Sequence, residues 1–180
     1  VWLRYNENGD VLKNISFKVK PGEKVALVGH TGAGKTSIIS LLAGLYPFQK
    51  GEILIDGKRL QDYSLKDLRR NIGIVQQDVF LFSGTIRDNI VLGNHAVSQE
   101  EMERVARYVN VHNFIESQQG KYLEPVMERG STFSVGQRQL IAFARVLAYD
   151  PAIFVLDEAT SNIDTETEIL IQDALKKLME

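Results

Sequence analysis

An α/β fold is predicted from three features of the sequence. A short apolar run breaks into a Gly-rich loop and then an aliphatic helix between Val25 and Leu45; strand-like alternation lies on either side of it; and a long, mostly helical stretch ends in a second apolar run at Ile153 to Leu156. Strand, loop, helix and a returning strand are the ingredients of a mostly parallel sheet with helices on it.

Taken in order, Val1 to Tyr5 and Val11 to Val19 alternate in the manner of strands, with Ile15, Phe17 and Val19 on one face, and Pro21-Gly22 closes the stretch with a turn. Val25-Ala26-Leu27-Val28 reads as a buried strand, and Ser37 to Leu45 as a helix. Glu52 to Asp56, followed by Gly57, is a further short strand closing into a turn, so an antiparallel β subdomain is expected beside the core. Ser64 to Arg70 has the length of a short helix, with Ser64 and Asp67 as its capping pair, and Ile72 to Val75 returns as a buried strand. From about residue 78 to 150 the pattern is that of a helical subdomain inserted between core strands. Thr165 to Met179 closes the chain as an amphipathic helix, capped by Thr165 and Glu168, with Ile169, Ala174, Leu175 and Leu178 on one face.

The loop between the first core strand and its helix reads Gly29-His30-Thr31-Gly32-Ala33-Gly34-Lys35-Thr36, the spacing of a phosphate loop: Gly, four residues, Gly-Lys-Thr. Gly29, Gly32 and Gly34 let the backbone turn its N–H groups inward, and the helix behind them presents its positive end, so the loop is a socket for an anion. Lys35 adds a mobile cation for the outer phosphates, and Thr36 a hydroxyl for Mg²⁺. Ile153 to Leu156 then runs into Asp157-Glu158, two carboxylates at a sheet edge. Asp157 is placed to hold Mg²⁺, and Glu158 to orient or deprotonate an attacking water. Ser134-Val135-Gly136-Gln137 opens a helix that runs to about Tyr149, with Leu140, Phe143, Ala144 and Leu147 on one face. Two readings of that start are open, a plain capping box or a second phosphate contact built on the same geometry.

The whole-chain numbers bound the rest. The 180 residues make one domain able to bury about 70% of its unfolded surface. Lysines and arginines number 21 against 23 acids, a net charge of −2, so charge gives no support to nucleic-acid binding. There are no cysteines, which excludes disulfides and thiolate metal sites. No apolar run approaches the roughly 18 residues of a membrane span, and no leader opens the chain. The sequence starts at Val1 without Met, as expected of a piece of something longer that stops before its last core strands.

The ordered set of phosphate loop, Gln77, Ser-x-Gly-Gln helix start, apolar-Asp-Glu strand and Ser161-Asn162-Ile163-Asp164 resembles the ATP-binding cassette family over nearly the whole chain. The run from Asp78 to Ile90 and Glu128-Arg129-Gly130 resemble its exporter branch. The resemblance implies a P-loop ATPase core on the cytoplasmic face of a membrane, with ATP and Mg²⁺ bound by Gly29 to Ser37. It implies that Tyr5 stacks on adenine, with Trp2 a weaker candidate, and that Gln77 reaches the metal, with Gln76 a bystander. Ser134, Gly136 and Gln137 would contact ATP on the opposite subunit of a head-to-tail dimer, with Asp164 linking the two sites. Glu128 to Gly130 would face a transmembrane domain. Two departures stand out: Val135 replaces a Gly of the signature, as where unlike subunits pair, and no histidine follows the Asp-Glu strand. His30, His95 and His112 precede that strand and read as surface or loop residues.

Overall fold

A computed structural model describes residues 1–7, 9–76, 78–94, 96–157 and 164–178, and the class is mixed α/β, as the sequence predicts. The chain divides into two compact units, residues 1–72 and 73–180.

In the first unit the N-terminal ribbon is held by single antiparallel bridges, Trp2 with Lys50 and Leu3 with Leu12. Leu3, Leu12 and Leu41 form its buried cluster, with Val1, Ile15, Ile38, Phe48 and Ile53 packed around them. Helix α1 spans Lys35–Leu42. It stops because Gly44 takes the left-handed conformation (φ 66°). The Gly44 N–H then bonds Leu41 O and the Leu45 N–H bonds Ser40 O, each at 3.0 Å, which satisfies carbonyls the helix end would leave open. Strands β1 (Leu54–Ile55) and β2 (Lys58–Arg59) pair as a hairpin, with Leu54 opposite Arg59. Its turn is Asp56-Gly57, both left-handed (φ 50° and 78°), the twist that a two-residue hairpin loop needs. Helix α2 (Leu65–Asn71) starts as read: the Ser64 hydroxyl oxygen accepts the Asp67 N–H at 3.0 Å and the hydroxyl donates to the Asp67 carboxylate at 2.7 Å.

Three expectations for this unit are corrected. Val25 to Val28 is not a buried strand: among the described residues no strand pairs with it, and Val28 is 94% exposed. Apolar run length signals a wish for burial, but a strand also needs a ladder partner, which the run itself cannot specify. The alternation from Val11 to Val19 likewise gives one bridge at Leu12, and Phe17 and Val19 lie exposed. The first helix begins two residues earlier than read and ends at Leu42, because Gly44, and not Leu45, sets its end.

The second unit holds the larger core. Strand β3 (Ile72–Val75) lies beside β6 (Ile153–Leu156). At Gly73 an added Cβ would stand 2.3 Å from Val146 Cγ1 and 2.8 Å from Pro151 Cγ, so the following segments close directly onto bare backbone. A two-residue strand β4 (Gly84–Thr85) pairs antiparallel with β5 (Pro125–Val126), a contact the helical reading of this stretch did not contain. Helices α3 (Ile86–Val91), α4 (Gln99–Tyr108), α5 (His112–Ser117), α6 (Val135–Leu147) and α7 (Thr165–Leu178) complete the unit. Helix α3 carries a full capping box: Thr85 Oγ1 accepts the Asp88 N–H at 3.0 Å, and Asp88 Oδ2 accepts the Thr85 N–H at 2.9 Å. These hydrogen bonds from Thr85 hold the Asp88 carboxyl below its ordinary range. Phe143, Leu140 and Ile141 of α6 lie fully inside, packed with Leu81, Ile86, Ile90, Met102, Val105, Ile115 and Ile171. Burial therefore extends around much of α6 rather than along the single stripe expected.

Helix α7 differs from its expectation at both cap and face. Its first residue is Thr165, so the cap is Asp164, whose Oδ1 accepts the Thr167 N–H at 2.9 Å; the Thr165 and Glu168 box is not the start. Ile171 and Ala174 are buried, while Ile169 is exposed. At about 100° per residue Ile169 falls some 200° from Ile171, on the opposite side. His112 opens α5 and bonds the Tyr122 hydroxyl through Nδ1 at 2.8 Å, half-buried rather than on a free loop.

Candidate functional site

The first unit carries the Gly-rich loop. Gly32 and Gly34 both adopt left-handed backbone (φ 82° and 93°), and Gly34 is the residue that leads into α1. A Cβ at Gly34 would meet Leu12 Cδ2 at 2.6 Å, so conformation and space both require glycine. No described side chain caps α1, which leaves its first-turn N–H groups available to a ligand. The Ala33 N–H bonds His30 O at 3.0 Å and closes the turn. Lys35 folds back over it, its ammonium 2.7 Å from Gly29 O and 3.2 Å from His30 O. His30 Nδ1 lies 2.8 Å from Thr31 O. Thr36 is exposed one residue into the helix, and Ser37 is buried behind it. Residues 29–37 thus supply a tight loop, a helix start without a side-chain cap, an ammonium and, at the exposed Thr36, a hydroxyl-bearing side chain. Such a set fits a chain of phosphates with a divalent ion.

Tyr5 is 45% exposed, with its ring edge-on to Tyr46 at 4.8 Å. It borders an open cavity of about 330 Å³ with Arg4, Asn6, Glu7 and Gln49. The floor is stiffened by Gln49, whose side chain accepts the Arg4 N–H at 2.7 Å and donates to Arg4 O at 3.1 Å. Trp2, by contrast, has its backbone laddered onto Gln49 and Lys50 and is half-buried.

In the second unit the Asp157 N–H bonds Val75 O at 2.9 Å. That bond sets Asp157 beside the end of β3, at the point where the chain runs on through Gln76. Gln77 and Glu158 lie outside the described residues, as do His95 and Ser161 to Ile163. Among the described residues no group of three His, Asp or Glu side chains could hold a metal.

Ser134 and Gln137 make both bonds of a capping box: the Gln137 N–H to Ser134 Oγ at 3.2 Å and the Ser134 N–H to Gln137 Oε1 at 2.9 Å. Gly136 is buried in the first turn behind them. The segment before this start is fixed by Arg138, which donates to Phe133 O at 2.7 Å and Gly130 O at 3.4 Å. Within Glu128-Arg129-Gly130, Arg129 and Gly130 are both left-handed (φ 59° and 64°). Asp164, at the head of α7, is held below the ordinary carboxylate range by its hydrogen bonds from Thr167.

A buried polar lock escaped the sequence reading. Asn89, 1% exposed, accepts the Phe82 N–H at 2.8 Å and donates to Phe82 O at 2.7 Å and Thr85 O at 3.0 Å. Arg145 of α6 reaches across to donate to Asn89 O (2.7 Å), Asn89 Oδ1 (2.9 Å) and Phe80 O (3.0 Å). Burial pushes its guanidinium down to about 10, still charged at neutral pH, and these three oxygens compensate that charge. The lock fixes the segment from Phe80 to Thr85. Fifty-six residues separate its two halves, and no local spacing signals them.

A family model described as ABC transporter matches residues 12–161. A probable multidrug resistance ABC transporter ATP-binding/permease protein of Bacillus subtilis (strain 168) is 53% identical over 175 residues, 97% of this chain and 26% of that protein. A putative ABC transporter ATP-binding protein of Streptococcus pneumoniae serotype 4 is 48% identical over 178 residues, 99% of this chain and 30% of that protein. Among solved structures, a bacterial Atm1-family ABC exporter with ATP bound matches with a TM-score of 0.91 and 37% identity, over 100% of this chain and 32% of that one. The chain spans about a quarter to a third of the length of these relatives.

Proposed function

The chain belongs to the ABC transporter family, and from that premise we propose that it is the ATP-hydrolysing motor of an exporter. The observation that carries the proposal is the loop at 29–37, where a left-handed Gly34 opens a helix without a side-chain cap and Lys35 lies across the turn. The similarity to an ATP-binding/permease protein and to an ABC exporter supports the transport half of the reading.

When bound, MgATP supplies the phosphoanhydride bond and a cation that neutralises its charge. The chain's own residues do the rest. Backbone N–H groups of residues 32–36 bind phosphate oxygens, and Lys35 exchanges its bonds to Gly29 and His30 carbonyls for bonds to the outer phosphates. Thr36 would offer its hydroxyl to the metal, and Asp157 and Gln77 are the other residues that would hold it. Tyr5, with its exposed ring, takes one face of adenine. Glu158 accepts a proton from the attacking water. Ser134, Gly136 and Gln137 of a second copy, or of a related subunit, close over the phosphates in a head-to-tail dimer that Asp164 helps to join. The helical region 78–150, with Glu128 to Gly130, passes closure to a transmembrane domain on the cytoplasmic side.

The test is ATP turnover by the protein at its full native length. Glu158→Gln is expected to keep ATP binding while slowing hydrolysis by about 10²–10⁴, the usual weight of a general base. Hydrolysis by that variant at the parent rate would remove Glu158 from its role. A parent protein with no ATPase activity would overturn the function itself.

A further inference from the structure

The first half of α7 carries no buried side chain: from Thr165 to Leu170 every residue is exposed except the half-buried Thr167. Burial begins at Ile171 and Ala174, with Leu175 and Leu178 packed against the core behind them. Among the described residues, then, Asp164 at the head of the helix takes its place from the second half of α7. Apolar packing holds that half against its neighbours but has no direction, so it sets rotation and axial position weakly. Hydrogen bonds, which are directional, set them sharply.

Those bonds come from the end of α4. Asn110 takes the left-handed conformation just past that helix (φ 63°), one that asparagine tolerates. Its Nδ2 donates to Leu170 O at 3.1 Å and to Asp173 Oδ2 at 2.8 Å, and its Oδ1 accepts from Lys177 Nζ at 3.1 Å. Lys177 Nζ also pairs with Asp173 Oδ2 at 2.5 Å. Tyr108 donates its hydroxyl to Lys177 O at 2.6 Å, one of the last-turn carbonyls that the helix itself leaves open. One amide thus grips α7 at residues 170, 173 and 177, which lie within about 60° of one another around the helix. Asp164 stands about 10 Å of helix beyond Ile171, so a tilt of about 10° there carries the cap about 2 Å, enough to break a hydrogen-bonded contact. We propose that Asn110 is a positioning residue for ATP turnover, its clasp on α7 holding Asp164 in place for the second subunit. The inference rests on the reading that puts Asp164 where two subunits meet.

The experiment is a double-mutant cycle on steady-state ATP turnover by the full-length protein. Asn110→Gly keeps the left-handed backbone and removes the amide of the clasp. It is expected to lower kcat by about two- to tenfold, the weight of a lost hydrogen-bonded contact. MgADP affinity is expected to stay at the parent's value, since none of the clasp's bonds reaches residues 29–37. In protein carrying Asp164→Ser, which still caps α7 but has no carboxylate, Asn110→Gly is expected to have no further effect. An equal fold loss in both backgrounds marks a merely structural contact and overturns the proposal, as does parental kcat in Asn110→Gly. Should Asn110→Gly not fold, Lys177→Met, which removes only the ammonium's part of the clasp, is carried through the same cycle and read in the same way. If Asp164→Ser alone keeps the parental kcat, the place given to Asp164 is overturned, and if the parent has no ATPase activity the motor reading is; this inference falls with either.

Discussion

At the scale of single residues Gly34 of the loop is constrained in both conformation and space. Gly34→Ala places an L-residue at φ 93° and a methyl 2.6 Å from Leu12 Cδ2. The variant is expected to lose about 2–4 kcal/mol in denaturant unfolding, through backbone strain and overpacking together, and to lose nucleotide affinity in the same preparation. A variant as stable as the parent would show that the loop relaxes freely. This part of the site was legible because its demand is local: tight turns need glycine, and a Lys-Thr pair after them carries chemistry that few other contexts require. His112 was illegible for the opposite reason. Its bond to Tyr122 joins α5 to a turn beyond it, and nothing in the neighbouring residues announces that partner.

Among elements, pairs three residues apart were read well and longer pairings were not. Ser64 with Asp67 and Ser134 with Gln137 were recognised from spacing alone, and both form as hydrogen-bonded caps. On α7 the same rule fell one residue late, because Asp164, Thr165 and Thr167 are all capping types and only the backbone decides which one begins the helix. The Asn89 and Arg145 lock shows what local rules cannot reach. Asn89→Ala removes an acceptor and two donors from a buried site and leaves the Phe82 N–H and part of Arg145 without partners. It is expected to cost about 2–4 kcal/mol, as for other buried polar groups left unsatisfied, read as a lower denaturant midpoint with an unchanged slope. A loss under about 0.5 kcal/mol, the scale of a surface change, would mean that water replaces the lock without cost.

Over the whole molecule, stability is concentrated in the second unit, where Phe143, Ile141, Ile86 and Ile90 are fully enclosed. The first unit's buried cluster rests on Leu3, Leu12 and Leu41. Amide hydrogen exchange on the full-length protein is therefore expected to be slowest in α6 and fastest across residues 13–30, with the phosphate loop gaining protection on addition of MgADP. Uniform protection across both units would contradict the division of the core. The α/β class and most helices could be read from periodicity, whereas the exposure of Val25 to Val28 could not, since it depends on neighbours that the run does not encode. The exposed run has a further consequence, for the life of the chain before and between its folded states. Val25, Leu27 and Val28, the two valines of high β tendency, lie open, with Val28 almost wholly solvent-facing, and form a ready template for another extended chain. Glu23 and Lys24 stand immediately before the run and Gly29 immediately after it. Charge on one flank and a strand-breaking glycine on the other are what gatekeepers against aggregation consist of. The glycine that opens the phosphate loop thereby also limits how far a misplaced sheet can grow.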